Sequence, residues 1–312
     1  MSIKIFHSFV HIPSCFIDSV KHPILKRLNN RLSSEKEKAL RNLWIFKKEI
    51  SKEKLVKDLA SAGIRSGDTI MIHSSLSKIG KVKNGSITVI EALIEQIGTT
   101  GNLIMPAYSY VNTMENTAKV NDYVFDSLST PSVVGTISEK FRQFPAVKRS
   151  IHPTHSVTVH GPLADTITEG HLKADTNFGL NTPFQKIREI KGKTGGIGVG
   201  VAYSTFYHSV EDFYPDLFGQ VYLPKPEALK VMINGIVTTK SIFVHNPDYH
   251  KVRIDKNKAI EDWMRDHFKK RGILHEGSVG LANFWWMDTQ ELFDEMQSLA
   301  KKGITIYKVP GM

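Results

Sequence analysis

Cysteine is almost missing from this chain: of 312 residues only Cys15 carries a thiol. A single thiol excludes an internal disulfide framework and any cysteine-based metal centre, and Cys15 itself reads as a packed or half-exposed thiol. Long apolar runs are missing too. None approaches the ~18–20 residues that a helical membrane span requires. The apolar opening (Ile3, Ile5, Phe6, Phe9, Val10, Ile12) is interrupted by His7, His11 and Pro13 and lacks the ordered regions of a secretion signal. A cytoplasmic location is the expectation. No internal repeat or low-complexity linker appears, and no His-Glu-x-x-His spacing occurs, so no metal is expected. His245, Asp248 and His250 are close enough in sequence to group around an ion only by chance.

Acidic residues are outnumbered, 31 against 41 Lys and Arg, for a net charge of +10. The excess is local: residues 1–60 hold 13 basic and six acidic side chains, +7 of the total. Residues 1–50 therefore read as a basic, partly helical extension and 51–312 as the main domain. The extension's charge fits a solvated helix face; peripheral contact with anionic lipid or polymer, or with a partner subunit, is the alternative. Self-association is compatible with the sequence, and nucleic acid is not an expected partner.

The length is enough for one large α/β domain with a sizeable core. Ser34 and Glu37 form a capping box for a helix to about residue 50, and 52–62 is a second, amphipathic helix stopped by Gly63. Residues 69–73 read as a buried strand, Thr88 and Glu91 as the cap of a helix to Ile97, and 102–105 as another strand. Strand, helix and strand with short links predict parallel pairing through a right-handed crossover. Residues 107–132 form a long polar connection, of the kind that is more often functional than idle. Helices at 134–144, 163–168, from Thr182-Pro183 and at 204–214 are expected, with strands at 156–160 and 195–201. Asn234-Gly235 between apolar runs is a strong hairpin signal. One helix face is marked by Ile260, Trp263, Met264, His267 and Phe268, a last helix is capped by Asp288 and Glu291, and 305–309 closes as a strand. These elements predict a layered α/β/α fold around a central mixed sheet.

The stretch richest in chemistry is Arg149-Ser150-Ile151-His152-Pro153-Thr154-His155-Ser156, followed by Gly161-Pro162 and Thr168-Glu169-Gly170-His171. Three of its histidines (His152, His155, His171) fall within 20 residues, and imidazole, with an unperturbed pKa of ~6.5, suits proton transfer near neutrality. His171, just past a helix end, is a candidate general base or a cap for that helix. Glu211 is a candidate carboxylate to orient a base, with Asp212 its rival if the register shifts by one. His155 and Ser156 should point to opposite sides of the chain, and His155 reads equally as an active-site group or a satisfied buried histidine. The segment His73-Ser74-Ser75-Leu76, with Lys78, closes the first strand of the parallel unit, where such sheets bind ligands. Met105 and Tyr108 occupy the equivalent rim of the next strand. Thr130 and Ser132 lead into a helix whose N-terminus would attract a phosphate; turn residues that bind nothing look the same. Gly196-x-Gly198-x-Gly200 lacks the dinucleotide spacing and reads as close backbone packing.

The motifs Gly67-Asp68-Thr69, His73-Ser74-Ser75-Leu76, Met105-Pro106, Thr130-Pro131-Ser132, Asn181-Thr182-Pro183-Phe184, Gly198-Val199-Gly200 and Thr205-Phe206-Tyr207-His208 with Glu211 surround this histidine block. Together they resemble the aminoglycoside 3-N-acetyltransferase family over residues 50–300 or so. The resemblance implies an enzyme with acetyl-CoA as co-substrate and an amino-sugar amine as acceptor. It implies His171 as general base, Glu211 orienting it, and direct transfer, with an acyl-enzyme on Ser156 (His171 or His155 as its base) as the alternative. CoA is then expected along His73, Ser74, Ser75, Leu76, Lys78, Met105, Tyr108, Thr130 and Ser132. The mildly basic body favours a nucleotide-linked or surface-polysaccharide amino sugar over a cationic aminoglycoside, which is the alternative acceptor. A non-catalytic binding or scaffold protein of the same fold is the alternative of another class.

Overall fold

The computed structural model describes residues 49–311; the helix expected from Ser34 lies outside them, except that Ile50 is extended, in a bridge to Val82. Ten strands are described: β1 (Thr69–Ser74), β2 (Asn102–Pro106), β3 (Val124–Asp126), β4 (Lys148–Arg149), β5 (Val157–His160), β6 (Lys193–Ile197), β7 (Glu227–Ile233), β8 (Ile236–Ile242), β9 (His275–Val279) and β10 (Ala282–Asp288). Seven form one sheet in the order β4-β5-β2-β1-β6-β10-β9. β1 lies parallel between β2 and β6, while β5 and β10 add antiparallel strands outside them. The helix Ser86–Ile97 supplies the crossover that parallel β1 and β2 need.

Both faces of the central strands are covered, which is why they read as unbroken apolar runs. Side chains alternate between layers. Ile70, Ile72, Leu103 and Met105 pack with helices Lys52–Ser61, Ser86–Ile97 and Thr136–Arg142. Met71 and Ile104 face the opposite layer, built from Pro183–Glu189, Tyr207–Phe213, Lys258–Lys270 and Thr289–Ala300. Local signals set several helix starts. Ser51 Oγ accepts from Lys54 N at 3.4 Å, and the Asp288 carboxylate accepts from Gln290 N and Glu291 N at 2.8 and 3.0 Å. Among the described residues no helix is long and apolar enough to cross a membrane.

The hairpin forms as expected, with β7 and β8 joined across Asn234 and Gly235 at φ of 50° and 80°, a pair of left-handed residues matching sheet twist. The expected polar connection at 107–132 is instead partly structured. It holds a short helix, Met114–Ala118, and β3, which lies parallel to β7 in a second, three-stranded sheet. Phe125, fully buried, anchors this strand. Three residues are too few to show a period.

Four boundaries differ from the sequence reading. Thr88 is not a cap: the helix begins at Ser86 after Gly85, and Thr88 is buried. The helix expected at 134–144 spans only Thr136–Arg142. The glycine-rich strand stops at Ile197 because Gly198 turns with φ +70°, so a 3₁₀ turn at Val201–Tyr203 precedes the helix Tyr207–Phe213. Residues 305–309 form a turn closed by a Thr305–Lys308 bridge; the buried Ile306 and Val309 mimic a strand's pattern.

Arg149 ties the loops beside the sheet together. Its guanidinium donates to Thr130 O and, at 2.7 Å, to Ala107 O, and its Nε donates to Ser156 Oγ at 2.9 Å. Removing it strands Thr130 O, at roughly 1–3 kcal/mol when buried, and leaves Ala107 O and Ser156 Oγ with the bond between them. Arg149→Leu is expected to lower unfolding stability by about 1–3 kcal/mol, read from the urea midpoint. A change below about 0.5 kcal/mol, the level of an ordinary surface substitution, would show that the tie is dispensable.

Candidate active site

A cavity of about 520 Å³ opens at the carboxyl ends of β1 and β2. His73 and Ser74 reach it from β1, Pro106 from β2, and Tyr108 just beyond. His155 enters from the turn before β5, His208 from the helix Tyr207–Phe213, and His245 and His250 from the segment after β8. The Tyr207–Phe213 helix is enclosed: Tyr207, His208, Ser209, Val210 and Glu211 are all buried. Residues three apart share a helix face, and this sets His208 against Glu211. His208 Nδ1 lies 2.8 Å from Glu211 Oε2. Burial alone would raise the Glu211 carboxyl; its contacts with the His208 and His245 imidazoles outweigh burial and hold the carboxyl down to about 2. An ionised carboxylate at Nδ1 takes that nitrogen's proton as a donated hydrogen bond, leaving the lone pair on Nε2. This is the arrangement of a general base.

The carboxylate is not paired with His171. His171 Nδ1 lies 2.9 Å from Ser150 Oγ, and its ring stacks on His152 at 4.5 Å. Ser150 Oγ also accepts from Val157 N at 2.9 Å, which fixes the hydroxyl beside the ring. Nδ1 of His171 is thus engaged inside the protein. The ring is fully buried, does not line the cavity, and is held by burial down to about 3. Ser156 is equally engaged. Its hydroxyl donates to Ala107 O at 2.7 Å and accepts from Arg149, with no imidazole bonded to it, so an acyl-enzyme there lacks an activating base. His155 does line the cavity, tilted against Tyr108 at 4.7 Å and edge-to-face with Phe178 at 5.0 Å, with Nδ1 3.0 Å from Thr154 Oγ1. His152 sets its position by accepting His155 N at 3.0 Å. Asp212 is a structural group. It accepts from Phe178 N at 2.7 Å and from Tyr222 Oη, and burial pushes it up to about 6.

The residues expected to hold CoA separate. His73, Ser74 and Tyr108 line the histidine cavity, while Lys78 lines a second one of about 740 Å³ with Lys258 and Arg265. Val199 borders both. Ser75 and Leu76 line neither: Ser75 Oγ lies 3.3 Å from Ser77 Oγ, and Leu76 packs on the core. Met105 faces the layer of Ser86–Ile97 and is fully buried. Thr130 closes a turn through Asp126 N, and Ser132 N donates to the Glu139 carboxylate at 2.7 Å. Glu139 is held down to about 2, chiefly by its hydrogen bond with Arg142. A carboxylate already on these donors repels a phosphate.

Gly196 and Gly200 pack closely: a Cβ would strike Trp285 at the first and Glu261 at the second. Neither His208 nor His245 stands out as a base in the sequence, although His208-x-x-Glu211 carries the i, i+3 signal. His250 lines the cavity while Asp248 pairs with Lys251 at 2.8 Å, so the chance grouping with His245 does not form.

An imidazole held by a buried carboxylate, at the mouth of a parallel sheet and beside a lysine-bearing cleft, is an arrangement suited to an enzyme that works by general-base chemistry. The family sequence pattern described as aminoglycoside 3-N-acetyltransferase matches residues 71–301. The chain belongs to that family and is an N-acetyltransferase. It is 28% identical over 255 residues to an aminoglycoside N(3)-acetyltransferase III from Salmonella sp, covering 76% of this chain and 87% of that protein. It is 30% identical over 177 residues to the SPbeta prophage-derived aminoglycoside N(3')-acetyltransferase-like protein YokD of Bacillus subtilis, covering 52% and 64%. Among solved structures, AAC-IIIb with CoASH superposes with a TM-score of 0.71 at 22% identity, covering 84% of this chain and all of that one (100%). A histidine-to-alanine mutant of AAC(3)-IVa in complex with apramycin gives 0.65 at 23%, covering 83% and 94%.

The buried imidazoles make stability depend on pH. Burial holds His73 down to about 4 and His171 to about 3, and places His152 and His155 well below the ordinary value. The unfolded chain binds protons at these groups from ~6.5 downward and the folded chain does not, so stability is full above ~6.5 and falls as pH drops toward the folded values, by about 1.4 kcal/mol per pH unit for each group. Urea midpoints should be level from pH 8 to 7 and decline from about 6.5 to 5. A midpoint that is level across the whole range would contradict neutral buried histidines.

Proposed function

We propose that the chain transfers an acetyl group from acetyl-CoA to an amine of an aminoglycoside, with His208 as general base and Glu211 as the group that orients it. The His208–Glu211 pair facing the cavity carries this reading. The relatives named as aminoglycoside N(3)-acetyltransferases support the acceptor. A nucleotide-linked or polysaccharide amino sugar, favoured by net charge, has no comparable support. Most of that charge lies in residues 1–60 and does not describe the cavity.

In this reading acetyl-CoA approaches along the cleft in which Lys78 is the cation open to its phosphates, Lys258 and Arg265 being paired with Glu261 and Glu276 of the same lining, and presents its thioester near Val199. The acceptor enters the histidine cavity. Its amine nitrogen attacks the thioester carbonyl while His208 Nε2 takes the amine proton, and Glu211 stabilises the resulting imidazolium. Collapse breaks the carbon–sulfur bond, and the departing thiolate is protonated as CoA leaves. Tyr108 Oη donates to Thr205 Oγ1 at 3.0 Å, which leaves the Thr205 hydroxyl, only weakly directed at Met71 Sδ (4.0 Å), as the donor on the wall where the carbonyl oxygen gains charge.

His208→Asn should lower kcat by ~10²–10⁴-fold, the contribution of a general base, with acetyl-CoA affinity little changed. Glu211→Gln should cost less than His208→Asn, and His171→Asn should lower stability while keeping kcat within ~10-fold. The assay is acetylation of gentamicin-type aminoglycosides followed by thiol release. Loss of activity in His171→Asn with activity retained in His208→Asn would overturn the assignment.

A further inference from the structure

Glu211 faces a second imidazole. His245 Nε2 lies 3.5 Å from the same Oε2 that His208 Nδ1 approaches to 2.8 Å. These three donor atoms fall within 4.8 Å of one another. The His208 contact is a well-formed hydrogen bond, whereas the His245 contact, at 3.5 Å, sits at the outer limit of one, so among the described residues His245 Nε2 and Glu211 Oε1 lack a well-formed partner. Buried polar atoms are nearly always paired, and two orphans on adjoining side chains point to a partner that both can bind.

Two imidazole nitrogens and one carboxylate oxygen are the donor set of open zinc sites, with bonds of ~2.0–2.2 Å. Tetrahedral donors at that bond length stand roughly 3.3 Å apart; the two imidazole–carboxylate separations, 2.8 and 3.5 Å, lie on either side of this value, and the two imidazole nitrogens, the widest pair within the 4.8 Å limit, close toward it as the His245 side chain turns in on the cation. The donors sit on two supports. His208 and Glu211 share the helix Tyr207–Phe213, and His245 is fixed by its bridge to Tyr222, with the two rings 4.6 Å apart. Both histidines border the cavity, so a fourth ligand can come from it. Magnesium and calcium prefer shells of oxygen, which this site does not offer.

We propose that His208, Glu211 and His245 form a binding site for a zinc-class divalent cation, and that filling it switches off acetyl transfer. The second half rests on the reading of His208 as the base. A neutral imidazole has one proton; a cation on Nδ1 leaves that proton on Nε2, where no lone pair remains for the amine's proton. Zinc thus displaces the hydrogen bond to Glu211 and blocks the base in one step.

The test uses the full chain stripped with chelator, titrated with zinc against a metal-sensitive dye and, separately, with cobalt followed by visible absorption. One zinc per chain is expected, uncontested by excess magnesium, with the intense visible bands of tetrahedral cobalt. His245→Gln, checked for folding by circular dichroism and thermal melting, should weaken zinc binding by more than ~10-fold, the lower end of what loss of even an outer-shell partner costs. Glu211→Gln should do the same, and His267→Gln, at a surface pair with Glu295, should not. Stoichiometric binding that survives His245→Gln, or no stoichiometric binding in the parent chain, overturns the site. Acetylated product is measured by mass in the same titration. Loss of ~10²-fold in rate as one zinc binds supports the switch; one zinc bound at full rate keeps the site and overturns His208 as the base.

Discussion

The ionised carboxylate of Glu211, fully buried, is the constraint around which the chemistry of this molecule is arranged. An isolated charge at such a depth is costly by several kcal/mol, and the cost is offset only by close, well-aligned partners. His208 supplies the partner from one helical turn away. The helix carrying both is enclosed by aromatic side chains: Phe178 stacks on His208 at 5.1 Å, and Tyr207 stacks on Phe268 at 6.1 Å. Packing therefore fixes the imidazole, and the carboxylate fixes its proton. A general base needs both.

Access to the cavity divides the histidines around the site into two groups. His152 and His171 are interior groups that burial keeps neutral; His152 Nδ1 accepts a hydrogen bond from His155 N and His171 Nδ1 is hydrogen-bonded to Ser150 Oγ, so they hold the loop that bears His155. His73, His155, His208, His245 and His250 border the cavity, and of these His208 is hydrogen-bonded to a carboxylate. Arg149 works on the opposite wall. A single guanidinium, kept charged though burial lowers it to about 10, ties residues 107, 130 and 156 together without entering the cavity.

Much of the fold is legible in the sequence because periodic patterns report burial. The runs at β1 and β2, the helix ending at Gly98 and the Asn234-Gly235 hairpin all announce themselves locally. β3 does not, since a three-residue strand is defined by its pairing with β7, more than a hundred residues away. The site is half legible for the same reason. Glu211 stands out as a buried acid, but the histidine-rich block at 152–171 draws the eye away from its imidazole. That block attracts attention by density, and density says nothing about which ring meets the cavity. The useful signal is the i, i+3 spacing of His208 and Glu211. Met105 illustrates the limit on the rim: it lies on the right strand but on the face that points into the layer of the Ser86–Ile97 helix.

The central claim is that Glu211 holds His208 with its proton on Nδ1 and its lone pair on Nε2. Long-range ¹⁵N–¹H spectra of the histidine side chains, recorded at mildly alkaline pH with His208→Gln used for assignment, read this tautomer directly. The account predicts an Nδ1–H signature for His208 in the parent chain that is lost in Glu211→Gln. An Nε2–H signature in the parent chain, or one unchanged by Glu211→Gln, would contradict it.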